Sequence, residues 1–158
     1  MSAPTEIEKK FLVIECPALD DFKAEVVRQG YITSGEDSIE VRVRQKGQGY
    51  YITVKSKGTL ARSEYETAIE LAQFETLWPA TEGRRLEKTR YTGALPGGAA
   101  VELDIFEGHL AGLQLVEVEF SSVEEAKAFK APSWFGADVT EDKRYKNSAL
   151  SVADQLPT

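Results

Sequence analysis

The feature that most constrains this chain is an alternation of charged and apolar residues that recurs in seven short segments. Within 39–46, for example, Arg42 and Arg44 fall in one phase and Val41 and Val43 in the other. Successive side chains of a β-strand point to opposite faces, so this period of two predicts strands with one charged and one apolar face. The charged phase of the seven segments contains Glu6, Glu8, Lys10, Arg42, Arg44, Lys55, Glu64, Glu66, Lys88, Arg90, Glu102, Asp104, Glu117 and Glu119.

Turn and capping signals divide the rest of the chain. The glycines around Gln48 predict a hairpin turn, and Pro96-Gly97-Gly98 predicts another turn. Strands are predicted at 6–14, 39–46, 50–57, 61–69, 86–91, 101–105 and 115–120, with a short further strand at 137–140. Helices are predicted from about Asp20 to Gly30, where apolar residues recur at helical spacing, at 71–78, after Ser122, which opens a capping box, and at 142–150.

A set of strands with one charged face can be arranged in two ways. In an open sheet the charged face meets water, and each exposed ion pair contributes roughly 0.2–1 kcal/mol. In a closed barrel of about eight strands the charged face encloses water and ligand. Two observations favour closure: Thr, Ser and Gln are rare at the charged positions, and acids two residues apart repel each other unless a cation lies nearby. We therefore predict a mainly β (α+β) fold, a closed eight-stranded antiparallel β-barrel with flanking helices.

A charged interior of this kind needs ligands of both signs, because desolvating so many charges costs more than their pairing returns. Carboxylates two residues apart suit a hard divalent ion such as Mg²⁺ or Mn²⁺, which prefers oxygen ligands. Clustered arginines and lysines suit phosphoryl oxygens, arginine through its two-pronged guanidinium and lysine as a point charge. Acids and bases together therefore indicate a metal-bound polyphosphate.

Length and charge narrow the class of protein. The 158 residues, 42% of them hydrophobic, suffice for one packed domain, taken as 1–158 with a core at about 6–150. A net charge of -7 disfavours a general binder of nucleic acid or anionic membranes, and no apolar run approaches the ~18 residues of a membrane helix, so we expect a cytoplasmic protein. The single cysteine, Cys16, and the single histidine, His109, could form a nucleophile pair, but a small buried role for Cys16 is favoured.

Near its N-terminus the chain carries Glu6-Ile7-Glu8-Lys9-Lys10, which has the form Glu-x-Glu-x-Lys, and the charged pairs of the other strands follow it in order. An Asp-Lys-Arg-Tyr segment stands at 142–145. This pattern resembles the CYTH family, also called the triphosphate tunnel metalloenzymes. The resemblance spans about 6–150, and seven further paired positions in order make it far more specific than one short motif.

The resemblance implies a single tunnel domain in which a triphosphate lies along basic side chains and a divalent metal, Mg²⁺ or Mn²⁺, lies on carboxylates. Compact bacterial-type members with the same C-terminal segment are similar to inorganic triphosphatases, so hydrolysis of inorganic triphosphate to diphosphate and phosphate is expected. The catalytic residues implied are Glu6, Glu8, Lys10, Glu64 and Glu66. The substrate-binding residues implied are Lys10, Arg42, Arg44, Lys55, Lys88, Arg90 and Lys143. The metal ligands implied are Glu6, Glu8, Glu66, Asp104, Glu117 and Glu119.

Other functions stay open at this point. Within the family, a class IV adenylyl cyclase or a nucleoside or thiamine triphosphatase would use the same tunnel, although the chain lacks a His-Phe-x-x-Asp-like segment of the kind those cyclases carry. A non-catalytic polyphosphate-binding module is a further alternative, disfavoured because binding alone would not require so many carboxylates. Three charges near strand ends, Lys46, Lys57 and Glu70, are as well explained by solvated positions at the rim. The choice of metal, the carboxylate that orients the attacking water and the number of subunits, including a homodimer, also stay open.

Overall fold

The computed structural model describes residues 7–56 and 63–157 of the chain; the predicted site residue Glu6 and the predicted rim residue Lys57 lie outside these ranges. The described residues form a nine-stranded antiparallel sheet with the strand order β5-β4-β3-β2-β6-β7-β8-β1-β9. The strands are β1 (Ile7–Val13), β2 (Lys23–Tyr31), β3 (Ile39–Lys46), β4 (Gly49–Ser56), β5 (Glu64–Ile69), β6 (Arg85–Ala94), β7 (Ala100–Glu107), β8 (Gln114–Phe120) and β9 (Phe135–Asp138). The mainly β, antiparallel fold predicted from the alternation is thus confirmed.

Short helices connect or flank the strands. They are α1 (Leu71–Leu77), α2 (Val123–Ala128) and α3 (Asn147–Ser151), with 3-10 turns at Trp78–Thr81, Gly108–Leu110 and Lys143–Tyr145. The predicted cap of α2 is present, because the Ser122 side chain accepts a hydrogen bond from the Glu125 amide. Over the described part of the chain, no helix is long and apolar enough to cross a membrane.

The helix predicted between Asp20 and Gly30 is wrong, since this segment is strand β2. β2 pairs with β3 on one side and with β6 on the other, so the backbone groups that a helix would satisfy internally are satisfied by neighbouring strands. Gly30 does not end a helix; a Cβ there would lie only 2.5 Å from Thr81 Oγ1, so the glycine permits the turn after α1 to pack against β2. Tertiary pairing overrides a local helical spacing that a strand satisfies equally well.

The prediction of a closed eight-stranded barrel is corrected in one respect. The sheet is strongly curled but not strictly closed: β5 and β9 form its two edges. A closed barrel needs hydrogen-bonded pairing all the way round, and here a ninth strand, β9, extends the edge beyond β1. The curl nevertheless brings side chains from β1 and from β5, far apart in the strand order, onto one cavity.

Two apolar clusters stabilise the curled sheet. The outer cluster lies beneath α2 and β9 and contains Phe11, Val101, Leu103, Val116, Val118, Phe120, Ala126 and Phe135. The second cluster, which we call the apolar plug, contains Leu86, Phe106, Leu110, Leu113, Leu115, Val139, Tyr145 and Leu150. Leu86, Phe106 and Leu115 are in phase with charged residues of their strands, so the plug fills one part of the inner face and leaves the other part for charge. Each large side chain buried in these clusters contributes roughly 1.5–3 kcal/mol.

Candidate functional site

The inner face of the curled sheet lines a cavity of about 470 Å³, which we call the charged cavity. Strands β1 to β8 and the start of α3 all contribute to its wall. Its lining residues are Glu8, Lys10, Tyr31, Glu40, Arg42, Arg44, Lys55, Glu64, Glu66, Arg90, Glu102, Glu117, Glu119, Lys146, Asn147 and Ser148. The structure therefore brings together most of the residues that the sequence predicted for the site, and it does so because the strands present them on one face.

The basic wall of the cavity is built by Arg42 and Arg44 on β3 and Lys55 on β4. Arg44 Nη2 lies 3.2 Å from Glu66 Oε1, and Lys55 Nζ lies 3.9 Å from Glu64 Oε1. Both carboxylates sit on the edge strand β5, where their side chains are 39% and 54% exposed, whereas the Arg44 side chain is only 15% exposed. The cations are thus more enclosed than the acids that balance them, and an anion entering the cavity would find them facing inward.

Burial and mutual repulsion shift the pKa values of these cations. Burial lowers the pKa of Lys55, and the neighbouring Arg42 lowers it further, against the opposing effect of Glu64. The pKa of Arg44 is lowered for the same two reasons, burial first and Arg42 second. Among the residues that the structure describes, the buried Nε atoms of Arg42 and Arg44 also have no hydrogen-bond partner. A bound polyanion would satisfy these donors and relieve the repulsion.

The acidic wall is built by glutamates that face one another across paired strands. Glu8 on β1 is directly opposite Glu119 on β8, and Glu117 on β8 is directly opposite Glu102 on β7. Like charges directly opposite each other destabilise a sheet, and burial together with Glu117 raises the pKa of Glu102 although Arg90 opposes the rise. A cation between the strands would remove this cost.

The donor set of the acidic wall fits a hard divalent ion, because every side chain in it offers carboxylate oxygens. Among the residues that the structure describes, no three His, Cys, Asp or Glu side chains converge into one coordination group. Mg²⁺ commonly keeps several waters and takes one or two protein carboxylates plus substrate oxygens, so facing pairs are sufficient for it. The predicted ligand Glu6, two residues before Glu8, belongs to the undescribed N-terminal residues.

Two of the predicted residues lie behind the cavity wall. The side chain of Asp104 is buried and bonded to Lys88 Nζ at 2.8 Å, to Arg90 Nε at 2.9 Å and to Arg90 Nη2 at 3.0 Å. Burial alone would raise the pKa of Asp104, but Lys88 and Arg90 lower it to about 2. Lys88 is 1% exposed and lies over the Phe106 ring of the apolar plug, so of these three residues only Arg90 lines the charged cavity.

The C-terminal segment covers one side of the cavity and is held there by Lys10. The Lys10 ammonium donates to the Tyr145 carbonyl at 3.0 Å and lies 3.6 Å from Glu117 Oε1. The Lys10 backbone amide also donates to Thr140 Oγ1, and its carbonyl accepts from the Val139 amide. These contacts place the first residues of α3 on the cavity.

Lys143 lies elsewhere than the charged cavity. It lines an adjoining cavity of about 370 Å³ that shares Tyr31, Glu40, Lys146 and Ser148 with the charged cavity. The four shared residues were not predicted as site residues. Glu40 is in phase with Arg42, so the period of two could have found it. Tyr31 was missed because the residues before it in β2, up to Gly30, were predicted as a helix, which hid the phase of the strand. No periodic signal marks Lys146 or Ser148.

The alternative nucleophile pair receives no support from the positions of its members. Cys16 is exposed, so its expected burial is wrong. His109 lies in the 3-10 turn after β7, with Nε2 3.2 Å from the Leu150 carbonyl oxygen. Neither residue lines the charged cavity.

Comparisons with known proteins agree with this geometry. The sequence model of the CYTH domain matches residues 4–152. The inorganic triphosphatase of Nitrosomonas europaea is 59% identical over 149 residues, which cover 94% of this chain and 98% of the relative. The inorganic triphosphatase of Acetivibrio thermocellus is 40% identical over 147 residues, covering 92% of each chain. The crystal structure of the inorganic triphosphatase NE1496 superposes with a TM-score of 0.84 at 56% identity, over 97% of this chain and 98% of that one.

Proposed function

Because the chain belongs to the CYTH domain family, we propose that it is a divalent-metal-dependent hydrolase that converts inorganic triphosphate into diphosphate and phosphate. One observation carries the proposal: a wall of arginine and lysine and a wall of facing glutamates line the same cavity of about 470 Å³. Such a cavity suits a polyanion that arrives with a divalent cation, and the relatives named as inorganic triphosphatases identify the polyanion as a triphosphate.

The basic residues hold the substrate in this proposal. Arg42, Arg44, Lys55, Arg90 and Lys10 line the cavity and supply charge-assisted hydrogen bonds to phosphoryl oxygens. Lys143 belongs to the adjoining cavity and acts on the part of the anion or product nearest that opening. Lys88 acts from behind the wall, through its contact with Asp104. Held in this way, the anion is positioned for attack on a terminal phosphorus.

The carboxylates hold the cation and the water. A divalent ion, Mg²⁺ or Mn²⁺, would neutralise charge that develops on the transferring phosphoryl group. The candidates to hold it are Glu6, Glu8, Glu66, Glu117 and Glu119, of which one or two would bind the ion directly while the others would act through its waters. In this proposal Glu64 and the other cavity carboxylates orient water, and one of them accepts its proton as the new P–O bond forms and the bridging P–O bond breaks. Diphosphate leaves with the electron pair of that bond. Lys10, whose ammonium lies beside Glu117, offsets the negative charge of the reacting phosphoryl group.

The test is phosphate release from inorganic triphosphate, ATP and thiamine triphosphate, each with Mg²⁺, Mn²⁺ or a chelator. We expect release from inorganic triphosphate with metal, much less from the two organic triphosphates, and none with chelator. A folded sample that is inactive on all three substrates would contradict the hydrolase. Formation of cyclic AMP from ATP would favour the cyclase, and tight triphosphate binding without turnover would favour a binding module.

We also propose that the chain acts as one domain in the cytoplasm, where Mg²⁺ and triphosphates are available. The matched residues 4–152 leave little of the chain for a second domain. A homodimer is a separate proposal, and sedimentation of the purified chain at several concentrations decides it.

A further inference from the structure

Asp104 lies outside the charged cavity although its neighbour in phase on β7, Glu102, lines it. Residue Asp104 is 3% exposed and sits between the cavity wall and the apolar plug. The two carboxylates have the same direction relative to the sheet, so the alternation alone would give them the same role.

The contacts of Asp104 leave it poorly suited to bind a metal ion. Oδ1 accepts from Arg90 Nε at 2.9 Å, and Oδ2 accepts from Arg90 Nη2 at 3.0 Å and from Lys88 Nζ at 2.8 Å. Both oxygens therefore accept hydrogen bonds from basic side chains. A divalent ion bound at Asp104 would lie close to the positive charges of Lys88 and Arg90, which would repel it.

The same contacts orient Arg90. The guanidinium is held through two nitrogens by Asp104, while Nη1 pairs with Glu102 at the cavity wall. An arginine has five donors in a rigid fork, so fixing two of them fixes the direction of the rest. A flexible side chain that lines a ligand cavity is thereby held in place before any ligand binds, which lowers the entropy lost on binding.

We propose that Asp104, with Lys88 behind it, is a positioning residue that holds the Arg90 guanidinium toward the phosphoryl oxygens of the substrate, in place of the metal-ligand role that the sequence implied. The inference rests on the proposed function for the identity of the anion. It predicts that Asp104 affects the affinity for triphosphate and leaves the affinity for the divalent ion unchanged.

The experiment compares Asp104→Asn, Arg90→Lys and the combined variant with the matched control Glu119→Gln on the acidic wall. Binding of Mn²⁺ to each protein is followed by electron paramagnetic resonance of the free ion, and KM for triphosphate is measured at saturating metal. For Asp104→Asn we expect KM to rise about tenfold, the value of one hydrogen bond to a charged group, with Mn²⁺ affinity within about twofold of wild type. For Glu119→Gln we expect Mn²⁺ affinity to fall at least tenfold, because a ligand oxygen is lost.

The combined variant separates positioning from a general loss of packing. If Asp104 acts by orienting the Arg90 guanidinium, adding Asp104→Asn to Arg90→Lys raises KM by less than about twofold, since that guanidinium is already absent. Independent multiplication of the two effects would overturn the proposal. A loss of Mn²⁺ affinity in Asp104→Asn comparable to that in Glu119→Gln would overturn it as well.

Two further controls keep the result decisive. Should Asp104→Asn not fold, because Lys88 is left without its anion, the variant Lys88→Met/Asp104→Asn removes the unpaired charge and carries the same comparison. If the wild-type protein releases no phosphate from triphosphate, the proposed function fails. The inference is then decided by calorimetric binding of triphosphate and by the Mn²⁺ titration, neither of which needs turnover.

Discussion

Glu102 and Asp104 stand two residues apart on the same face of β7, yet their surroundings make them opposites. Asp104 is sealed between Lys88 and Arg90, and its pKa is lowered to about 2. Glu102 lines the charged cavity opposite Glu117, and burial together with that neighbour raises its pKa. The charge of a buried acid that is paired with cations of the protein is balanced without a ligand. The acidic wall of Glu8, Glu102, Glu117 and Glu119 has glutamate opposite glutamate, although Arg90 pairs with Glu102 and Lys10 with Glu117. A cation from outside would offset the remaining repulsion.

The largest effect should come from weakening the acidic wall. Replacing Glu8 by Gln removes a carboxylate opposite Glu119 without changing its size, and we expect turnover to fall about 1000-fold, or about 4 kcal/mol. Thermal stability should stay the same or rise slightly, because a repulsion across β1 and β8 is relieved. Phosphate release and a thermal melt on the same sample measure both. A rate within a few-fold of wild type would remove Glu8 from the site.

The basic wall offers the next test. Arg44→Ala removes a guanidinium from the cavity, and the loss of one cation from the transferring phosphoryl group should cost about 100-fold in turnover. Arg28→Ala is the matched control: Arg28 pairs with Glu87 at 3.5 Å outside the cavity and contacts the Trp78 ring. We expect that control to keep its rate. Equal losses in both variants would mean that the effect reflects folding instead of substrate binding.

The free energy of unfolding should depend on pH differently for Asp104 and for Glu102. A lowered pKa means that ionised Asp104 stabilises the fold above its ordinary value of 3.8, by about 2 kcal/mol, and that this is lost as pH falls toward 2. The raised pKa of Glu102 makes its contribution to stability change with pH in the opposite direction. Its protonation in the folded state stabilises the fold as pH falls toward the ordinary pKa of 4.5.

Urea unfolding between pH 2 and 7 measures these contributions in the wild type, Asp104→Asn and Glu102→Gln. Asp104→Asn should flatten the loss of stability below pH 4. Glu102→Gln should raise the free energy of unfolding near neutral pH relative to wild type and leave the loss below pH 4 in place. Identical pH profiles for the two variants would erase the distinction between the two carboxylates.

The smallest expected effect is the response of stability to metal. An ion that binds only the folded chain at ten times its Kd adds about 1.4 kcal/mol, or a few degrees in Tm. Mn²⁺ should produce this shift in the wild type and in Asp104→Asn, and the shift should nearly vanish in Glu119→Gln. A chelator should reverse it. Loss of the shift in Asp104→Asn alone would place the ion at Asp104 after all.

Much of the fold was predictable because period-two alternation states directly which residues share a face. Seven strands, the cap of α2 and the turns around Gln48 and Gly97 followed from local pattern. β2 did not, because its apolar residues satisfy helical spacing and strand spacing alike and only its pairing with β3 and β6 decides between them. Tyr31, at the end of that strand, was therefore not predicted as a site residue. Lys146 lines the cavity because the bond from Lys10 to the Tyr145 carbonyl holds distant parts of the chain together.

The sequence by itself determined that charges of both signs lie on one face of a sheet, and hence that cation and polyanion are the chemistry to look for, since strand geometry makes side-chain direction a local property. Only the tertiary structure decided that the sheet curls without closing, that an apolar plug occupies part of the inner face, and that Asp104 is buried between Lys88 and Arg90 while Glu102, although it pairs with Arg90, lines the cavity opposite Glu117. The physical reason is that the burial of a side chain and its electrostatic partners depend on residues far away in the chain. The face of the sheet to which a side chain points does not specify them.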